Sequence, residues 1–127
     1  MILADTSVWI SYLRRTDAQL EEIFDLYLKK KHIYLVSAVF GELLQGARNR
    51  KEREMLQRLW GNMPKVKEDF LFIDAGMNSN KYKLINQGVG LVDSYIMAAC
   101  IKNNLPLWTL DKRLQRAFDA INDGYST

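Results

Sequence analysis

The chain has 127 residues, 48% hydrophobic and 26% charged, which is enough to bury a core, and we expect a single domain over residues 1–127. Its one cysteine, Cys100, excludes an intrachain disulfide, and no apolar run is long enough to cross a membrane. The net charge of +3 and the lack of a signal-peptide pattern predict a cytoplasmic protein with a mildly basic surface and no membrane association.

The first residues predict a short buried strand that ends in a carboxylate. Ile2-Leu3-Ala4 is apolar, Asp5-Thr6-Ser7 follows, and a short helix is expected over 8–13. In open α/β sheets, ligands bind at the carboxyl ends of the strands. Asp5 is therefore either a helix N-cap, which is its ordinary interpretation, or part of a site at this edge.

Hydrophobic periodicity predicts helices and strands that alternate along the rest of the chain. The expected order is a helix over 17–30, a strand over 33–36, helices over 37–46 and 49–62, a strand over 70–73, a helix to residue 86, a helix over 91–101, a strand over 105–111, a helix over 112–118 and a loose tail over 122–127. This alternation predicts an α/β fold with a parallel sheet.

Polar residues mark the expected helix starts, and small residues mark the core. Ser37 and Asp74 are placed as N-caps. In the helix over 91–101, Ile96, Ala99 and Cys100 are expected to face the core.

Basic residues are concentrated in two segments. Lys29-Lys30-Lys31 precedes His32, and the helix over 49–62 has a basic side between Arg48 and Arg58. Solvated faces are the ordinary interpretation, and contact with phosphate is the alternative. Since His32 is the sole histidine, a histidine-based catalytic dyad or a zinc site of several His and Cys is disfavoured.

Four carboxylates are candidates for one shared site. Asp5 and Asp111 end predicted strands, Asp93 lies in the first turn of a helix, and Glu42 interrupts an otherwise apolar helix. Without the other acids, Glu42 would be assigned to the solvent-exposed side of that helix. Together the four would repel one another unless a cation lay between them. Oxygen ligands without His or Cys suit Mg²⁺ or Mn²⁺, which support phosphoryl chemistry.

These residues resemble the four acidic motifs of PIN-domain nucleases, most closely the VapC-type toxins of type II toxin-antitoxin systems. The resemblance rests on Asp5-Thr6-Ser7, Glu42-Leu43-Leu44-Gln45-Gly46, Asp93-x-x-Ile96-x-Ala98-Ala99 and Thr109-Leu110-Asp111. It covers essentially the whole chain. Met97 departs from the family pattern, where Ala usually follows the Ile, and this change concerns packing more than chemistry.

The resemblance implies a PIN-like three-layer α/β/α fold and a Mg²⁺-dependent endoribonuclease. It implies that Asp5 and Asp93 are the principal metal ligands, that Glu42 and Asp111 complete the catalytic acids, and that Thr6 and Thr109 orient them. It also implies a cognate antitoxin protein and a homodimer. The expected reaction is hydrolysis of single-stranded RNA by attack of water on phosphorus, with a 3′-hydroxyl product.

Two other functions remain open from the sequence. One is an inactive PIN-like module that binds RNA or a protein, which would have no need for mutually repelling acids. The other is a Mg²⁺-dependent phosphatase or phospho-receiver, because these also place Asp at strand ends. A phosphatase would need a second Asp two residues after Asp5, but Ser7 stands there. A receiver could use Asp74, which follows the predicted strand over 70–73.

Overall fold

The computed structural model describes the backbone of residues 1–126 and the side-chain surroundings of residues 1–123. In chain order, the elements are β1 (Ile2–Ala4), α1 (Thr6–Arg14), α2 (Ala18–Lys29), β2 (Ile33–Tyr34), α3 (Ser37–Gln45), α4 (Arg50–Asn62), α5 (Leu71–Lys81), a 3-10 turn (Leu84–Gln87), α6 (Leu91–Lys102), β3 (Leu107–Trp108) and α7 (Lys112–Ser126). No helix in this described range is long and apolar enough to span a membrane.

The central sheet consists of three short parallel strands in the order β2-β1-β3. Ile2 pairs with Ile33, and Ala4 pairs with Trp108. Helices cover the sheet in the three-layer α/β/α architecture expected from the sequence. Because the strands run in the same direction, the residues that follow β1 and β3 emerge at the same edge.

Aromatic side chains form the core beside β1. The Trp9 ring packs edge-on against Phe24 and Phe40, with ring centroids 4.7 and 5.2 Å apart, and all three side chains are buried. Edge-to-face pairs contribute about 0.5–1.5 kcal/mol each beyond their burial. The start of α1, which follows Asp5, is therefore fixed by a cluster of buried aromatic rings.

Six of the twelve residues of helix α6 are buried. Ile96, Ala99 and Cys100 are fully buried, which confirms the predicted core face, and Met97 is 2% exposed. Ser94 is buried as well, and its hydroxyl donates a 2.8 Å hydrogen bond to the Ala75 carbonyl of α5. This contact fixes α5 against the helix that carries Asp93.

The predicted strand over 70–73 is wrong, because this segment enters α5. Only Leu71 is buried there, and with Ala75 one turn later it forms the helix face that packs against the core. Phe72 and Ile73 are more than 60% exposed. Their bulk suggested a strand, but tertiary packing selects the helical spacing.

Two expected helix caps and one expected tail are also wrong. Asp74 lies inside the first turn of α5, and this helix ends at Lys81 rather than at residue 86. Ser37 is the first residue of α3, because Val36 occupies the N-cap position and has no side-chain capping bond. The loose tail over 122–127 is helical as far as Ser126, and Thr127 lies outside the described residues.

Candidate active site

Asp5 lies at the end of β1 and is almost completely buried, with 4% of its surface exposed. Its Oδ1 accepts hydrogen bonds from the Ser7 hydroxyl at 2.6 Å and from the Val8 N–H at 3.2 Å, so Asp5 is the N-cap of α1. Its Oδ2 accepts a 2.5 Å hydrogen bond from the Thr109 hydroxyl. Asp5 therefore caps a helix and also lies at the sheet edge where a ligand would bind.

Hydroxyl groups join the end of β1 to the end of β3. Besides its bond to Asp5, Thr109 Oγ1 accepts from the Asp111 N–H at 3.0 Å. Ser7 Oγ accepts from the Leu110 N–H at 3.0 Å. The sequence places Ser7 in the first acidic motif but assigns it no role in orienting Asp5, although a hydroxyl two residues after a strand-end Asp is a usable signal.

Asp111 is the N-terminal cap of α7. Its Oδ1 accepts from the N–H groups of Arg113 and Leu114, at 2.9 and 3.3 Å. Asp5 and Asp111 are thus both held by helix N-termini, whose partial positive charge favours a carboxylate.

Glu42 lies in the second turn of α3 and is exposed. The Thr6 hydroxyl, at the start of α1, donates a 2.6 Å hydrogen bond to Glu42 Oε1. This bond turns the Glu42 carboxylate toward the start of α1, next to Asp5.

Asp93 lies in the first turn of α6 and is partly buried. Burial, followed by the negative charges of Asp5, Asp111 and Glu42, raises the pKa of its carboxyl from the ordinary 3.8 to about 6. The four predicted acids therefore share one electrostatic environment. Burial, followed by the negative charge of Asp5, raises the pKa of the Cys100 thiol.

The chemistry of these donors suits a hard divalent cation, since they are carboxylate and hydroxyl oxygens. His32 is remote, because its carbonyl pairs with Ile2 at the opposite end of β1. Within the described residues, however, no three His, Cys, Asp or Glu side chains form a group close enough to hold a metal ion. Binding would require the side chains to move inward, which is open to the exposed Glu42 and the partly exposed Asp93.

The basic side of α4 is partly neutralised by acidic residues of the same region. Arg50 pairs with Glu54 at 2.9 Å. Glu52 accepts from Arg48 at 3.3 Å and from Arg14 of α1 at 3.1 Å. Among the described residues, the ion pairs of this side of α4 go to Glu52 and Glu54 and to none of the four acids. RNA contact there stays a prediction.

The phospho-receiver alternative loses its structural basis at Asp74. This residue follows no strand, because residues 71–73 are already helical. A receiver needs its accepting carboxylate at a strand end, and the acid that directly follows a strand here is Asp5, whereas Asp111 lies three residues after β3.

Known proteins resemble this chain both in sequence and in fold. The sequence profile of the PIN domain matches residues 2–119. Ribonuclease VapC32 of Mycobacterium tuberculosis, in strains CDC 1551 and H37Rv, is 34% identical over 121 residues, which cover 92% of this chain and 90% of that protein. The crystal structure of FitAcB from Neisseria gonorrhoeae is similar in fold, with a TM-score of 0.62 at 22% identity over 94% of each chain.

Proposed function

Since the chain belongs to the PIN-domain family, in the branch of the VapC ribonucleases, we propose that it is a divalent-metal-dependent endoribonuclease and the toxin of a toxin–antitoxin pair. The domain is proposed to be single over residues 1–127, in line with the family match over 2–119. The main support from the structure is the shared environment of four carboxylates, expressed in the raised pKa of Asp93.

Asp5 and Asp93 would hold the cation, with Mg²⁺ or Mn²⁺ as the candidates, and Glu42 and Asp111 would complete the catalytic acids. When bound, the cation would lower the pKa of an attacking water and offset negative charge on the phosphate. Thr109 and Ser7 fix both oxygens of Asp5, so this carboxylate is oriented before any ligand arrives. Thr6 donates to one oxygen of Glu42, which leaves this carboxylate less restrained than that of Asp5.

The proposed substrate is a single-stranded region of RNA. Lys112 and Arg113 follow Asp111 directly and are exposed, so two cations are available for phosphates beside the acids. An RNA backbone that approaches four carboxylates needs positive charges nearby, because the acids alone would repel its phosphates.

We also propose two protein partners. An antitoxin that places an arginine among the four acids would neutralise them by charge-assisted hydrogen bonds. A second copy of the chain would cover the apolar surface around the start of α5. The exposed side chains of that surface are Phe70, Phe72, Ile73 and Met77.

The test is cleavage of mixed structured and single-stranded RNAs by the purified protein, with Mg²⁺ or Mn²⁺ against EDTA. Asp5→Asn and Asp93→Asn are expected to abolish cleavage while the chain remains folded. Asp17→Asn is the matched control, because Asp17 caps α2 through the N–H groups of Gln19 and Leu20. It makes the same chemical change at a helix cap that carries no proposed site residue. Full activity in both site variants would contradict the proposal.

One observation favours a second candidate, an inactive module that binds RNA or a protein. It is the lack, within the described residues, of three acidic side chains close enough to hold a metal. Metal-independent RNA binding without cleavage would support this candidate.

A further inference from the structure

Glu68 lies in the segment between α4 and α5, and its carboxylate contacts two of the helices that carry proposed site residues. Its Oε2 accepts from the Ser37 N–H at 3.1 Å, and its Oε1 accepts from the Ser37 hydroxyl at 2.5 Å. The Tyr95 hydroxyl of α6 donates to the same Oε1 at 2.6 Å. Three donors thus converge on one carboxylate, and both of its oxygens are used.

The contact with Ser37 supplies the cap that α3 lacks. The N-cap residue Val36 makes no side-chain capping bond. An uncapped helix leaves N–H groups without partners, and an acceptor placed there stabilises the helix. Glu68 provides this acceptor from 31 residues away in the sequence. Its negative charge also lies at the positive end of the α3 dipole.

The segment that carries Glu68 is itself fixed on both sides. The Val66 N–H donates to the Leu35 carbonyl just after β2. Asn103, the C-cap of α6, accepts from the Lys67 N–H at 2.8 Å and donates to the Lys67 carbonyl at 3.0 Å. The Glu68 backbone is therefore held against β2 and against α6, so its carboxylate is a fixed reference point rather than a mobile surface group.

The two helices joined by Glu68 carry the two site acids that are least restrained. Glu42 lies five residues after Ser37 on α3, about 7.5 Å along the helix axis. Asp93 lies two residues before Tyr95 on α6. A change in the contact between Ser37, Glu68 and Tyr95 would alter the distance between Glu42 and Asp93.

We propose that Glu68 is a positioning residue that sets the spacing of Glu42 and Asp93 by joining the N-terminus of α3 to α6. This inference rests on the proposed metal-dependent function of the four acids. Glu68 is assigned a positioning role and not that of a ligand, because its carboxylate joins Ser37 of α3 to Tyr95 of α6. It acts through the helices.

The experiment measures Mn²⁺ affinity by calorimetry on the purified chain without RNA, together with kcat and KM for RNA cleavage. Glu68→Gln is compared with wild type and with Asp17→Ala, which removes the side-chain cap of α2 instead. Glu68→Gln is expected to weaken Mn²⁺ binding about tenfold and to lower kcat with KM unchanged. A cap that is only structural would lower the thermal midpoint in both variants and leave Mn²⁺ affinity unchanged in both.

Tyr95→Phe provides a second variant if Glu68→Gln does not fold, because it removes only the α6 contact and keeps the cap of α3. It is expected to weaken Mn²⁺ binding in the same direction. In the folded double variant, the effects should not add, because both substitutions break one contact.

The outcomes separate this inference from the proposed function. Mn²⁺ affinity that is unchanged in Glu68→Gln, or in Tyr95→Phe where only that variant folds, would overturn the positioning role, even if the wild-type chain cleaves RNA. A wild-type chain that binds Mn²⁺ but cleaves no RNA would contradict the proposed function, and the affinity comparison would still decide the role of Glu68. A wild-type chain that binds no Mn²⁺ would overturn the inference directly.

Discussion

The Thr109 hydroxyl donates a 2.5 Å hydrogen bond to Asp5 Oδ2 across 104 residues of sequence. The same oxygen of Thr109 accepts from the Asp111 N–H. One hydroxyl thus orients one proposed acid and fixes the backbone of another.

Thr109→Val removes this hydroxyl with little change in shape. We expect RNA cleavage to fall about 10- to 100-fold, because Asp5 loses the donor that fixes its Oδ2. Thr109→Ser keeps the hydroxyl and should retain most of the activity. The measurement is the initial rate of cleavage of a labelled RNA in Mg²⁺. Equal rates for the valine variant and wild type would show that this orientation is not needed.

The raised pKa of Asp93 predicts a pH dependence of stability in the metal-free chain. Its folded-state pKa of about 6 lies above the ordinary 3.8, so the folded state binds a proton that the unfolded state has released. The favourable contribution of protonated Asp93 to the free energy of unfolding is therefore fully present below pH 3.8 and is lost as pH rises through 6. Asp93→Asn should remove this dependence, so that the variant is more stable than wild type at pH 7 in EDTA.

Urea unfolding at pH 4 and pH 7 would check this prediction, with Asp17→Asn as the control at an exposed helix cap. An equal gain in stability for Asp93→Asn at both pH values would contradict the explanation that burial and neighbouring carboxylates destabilise the charged form of Asp93.

The buried carboxylate of Glu52 is expected to stabilise the contact between α1 and α4. Burial raises its pKa, but hydrogen bonds from Arg14 and Arg48 outweigh this effect and hold the pKa below 4.5. Glu52→Gln should lower the free energy of unfolding by about 2 kcal/mol at pH 7, because it removes charge-assisted hydrogen bonds.

The contribution of Glu52 depends on pH in the opposite sense to that of Asp93. A depressed folded-state pKa means that the stabilisation is present above the unfolded-state pKa and is lost as pH falls through the folded value. The matched control is Glu54→Gln, since the Glu54 pair with Arg50 is exposed and should be worth less than about 1 kcal/mol. Similar losses in both variants, measured by urea unfolding, would contradict the special role of Glu52.

The exposed apolar surface at the start of α5 predicts the site of self-association. Ile73→Lys places a charge where 62% of the side chain is exposed, so the isolated fold should tolerate it. We expect the variant to be monomeric under conditions where the wild-type chain is dimeric, as measured by light scattering after size exclusion. Ile23→Lys is the control, because Ile23 is an exposed isoleucine on α2. A dimer that persists in Ile73→Lys would place the interface elsewhere.

The sequence predicted the elements whose local pattern agrees with their tertiary environment. Asp5 is correctly predicted at a strand end, because a buried strand must stop where polar residues begin. The strand predicted over 105–111 is shorter, Leu107–Trp108, so Asp111 follows it by three residues at the same sheet edge. The core face of α6 was equally predictable from the sequence, since Ile96, Ala99 and Cys100 follow helical spacing, and all three are buried.

The errors occurred where local pattern and environment disagree. Phe72 and Ile73 have side chains that are typical of strands, yet both lie exposed on α5. They belong to an exposed apolar surface and not to a buried strand. The partner of Ser37 was not predictable either. Its hydrogen bonds go to Glu68 on a distant segment, and no local spacing indicates a contact between residues 31 positions apart.

The pairing of β1 with β3 also affects when the protein can become active during its synthesis. A ribosome that has translated one hundred residues has produced Asp5, Glu42 and Asp93, but neither Leu107–Trp108 nor Asp111. The sheet edge then lacks a strand, and Asp5 lacks the hydroxyl of Thr109. We expect nascent chains stalled at residue 100 to cleave no RNA, which would leave the translating cell a protected interval before the finished nuclease is released.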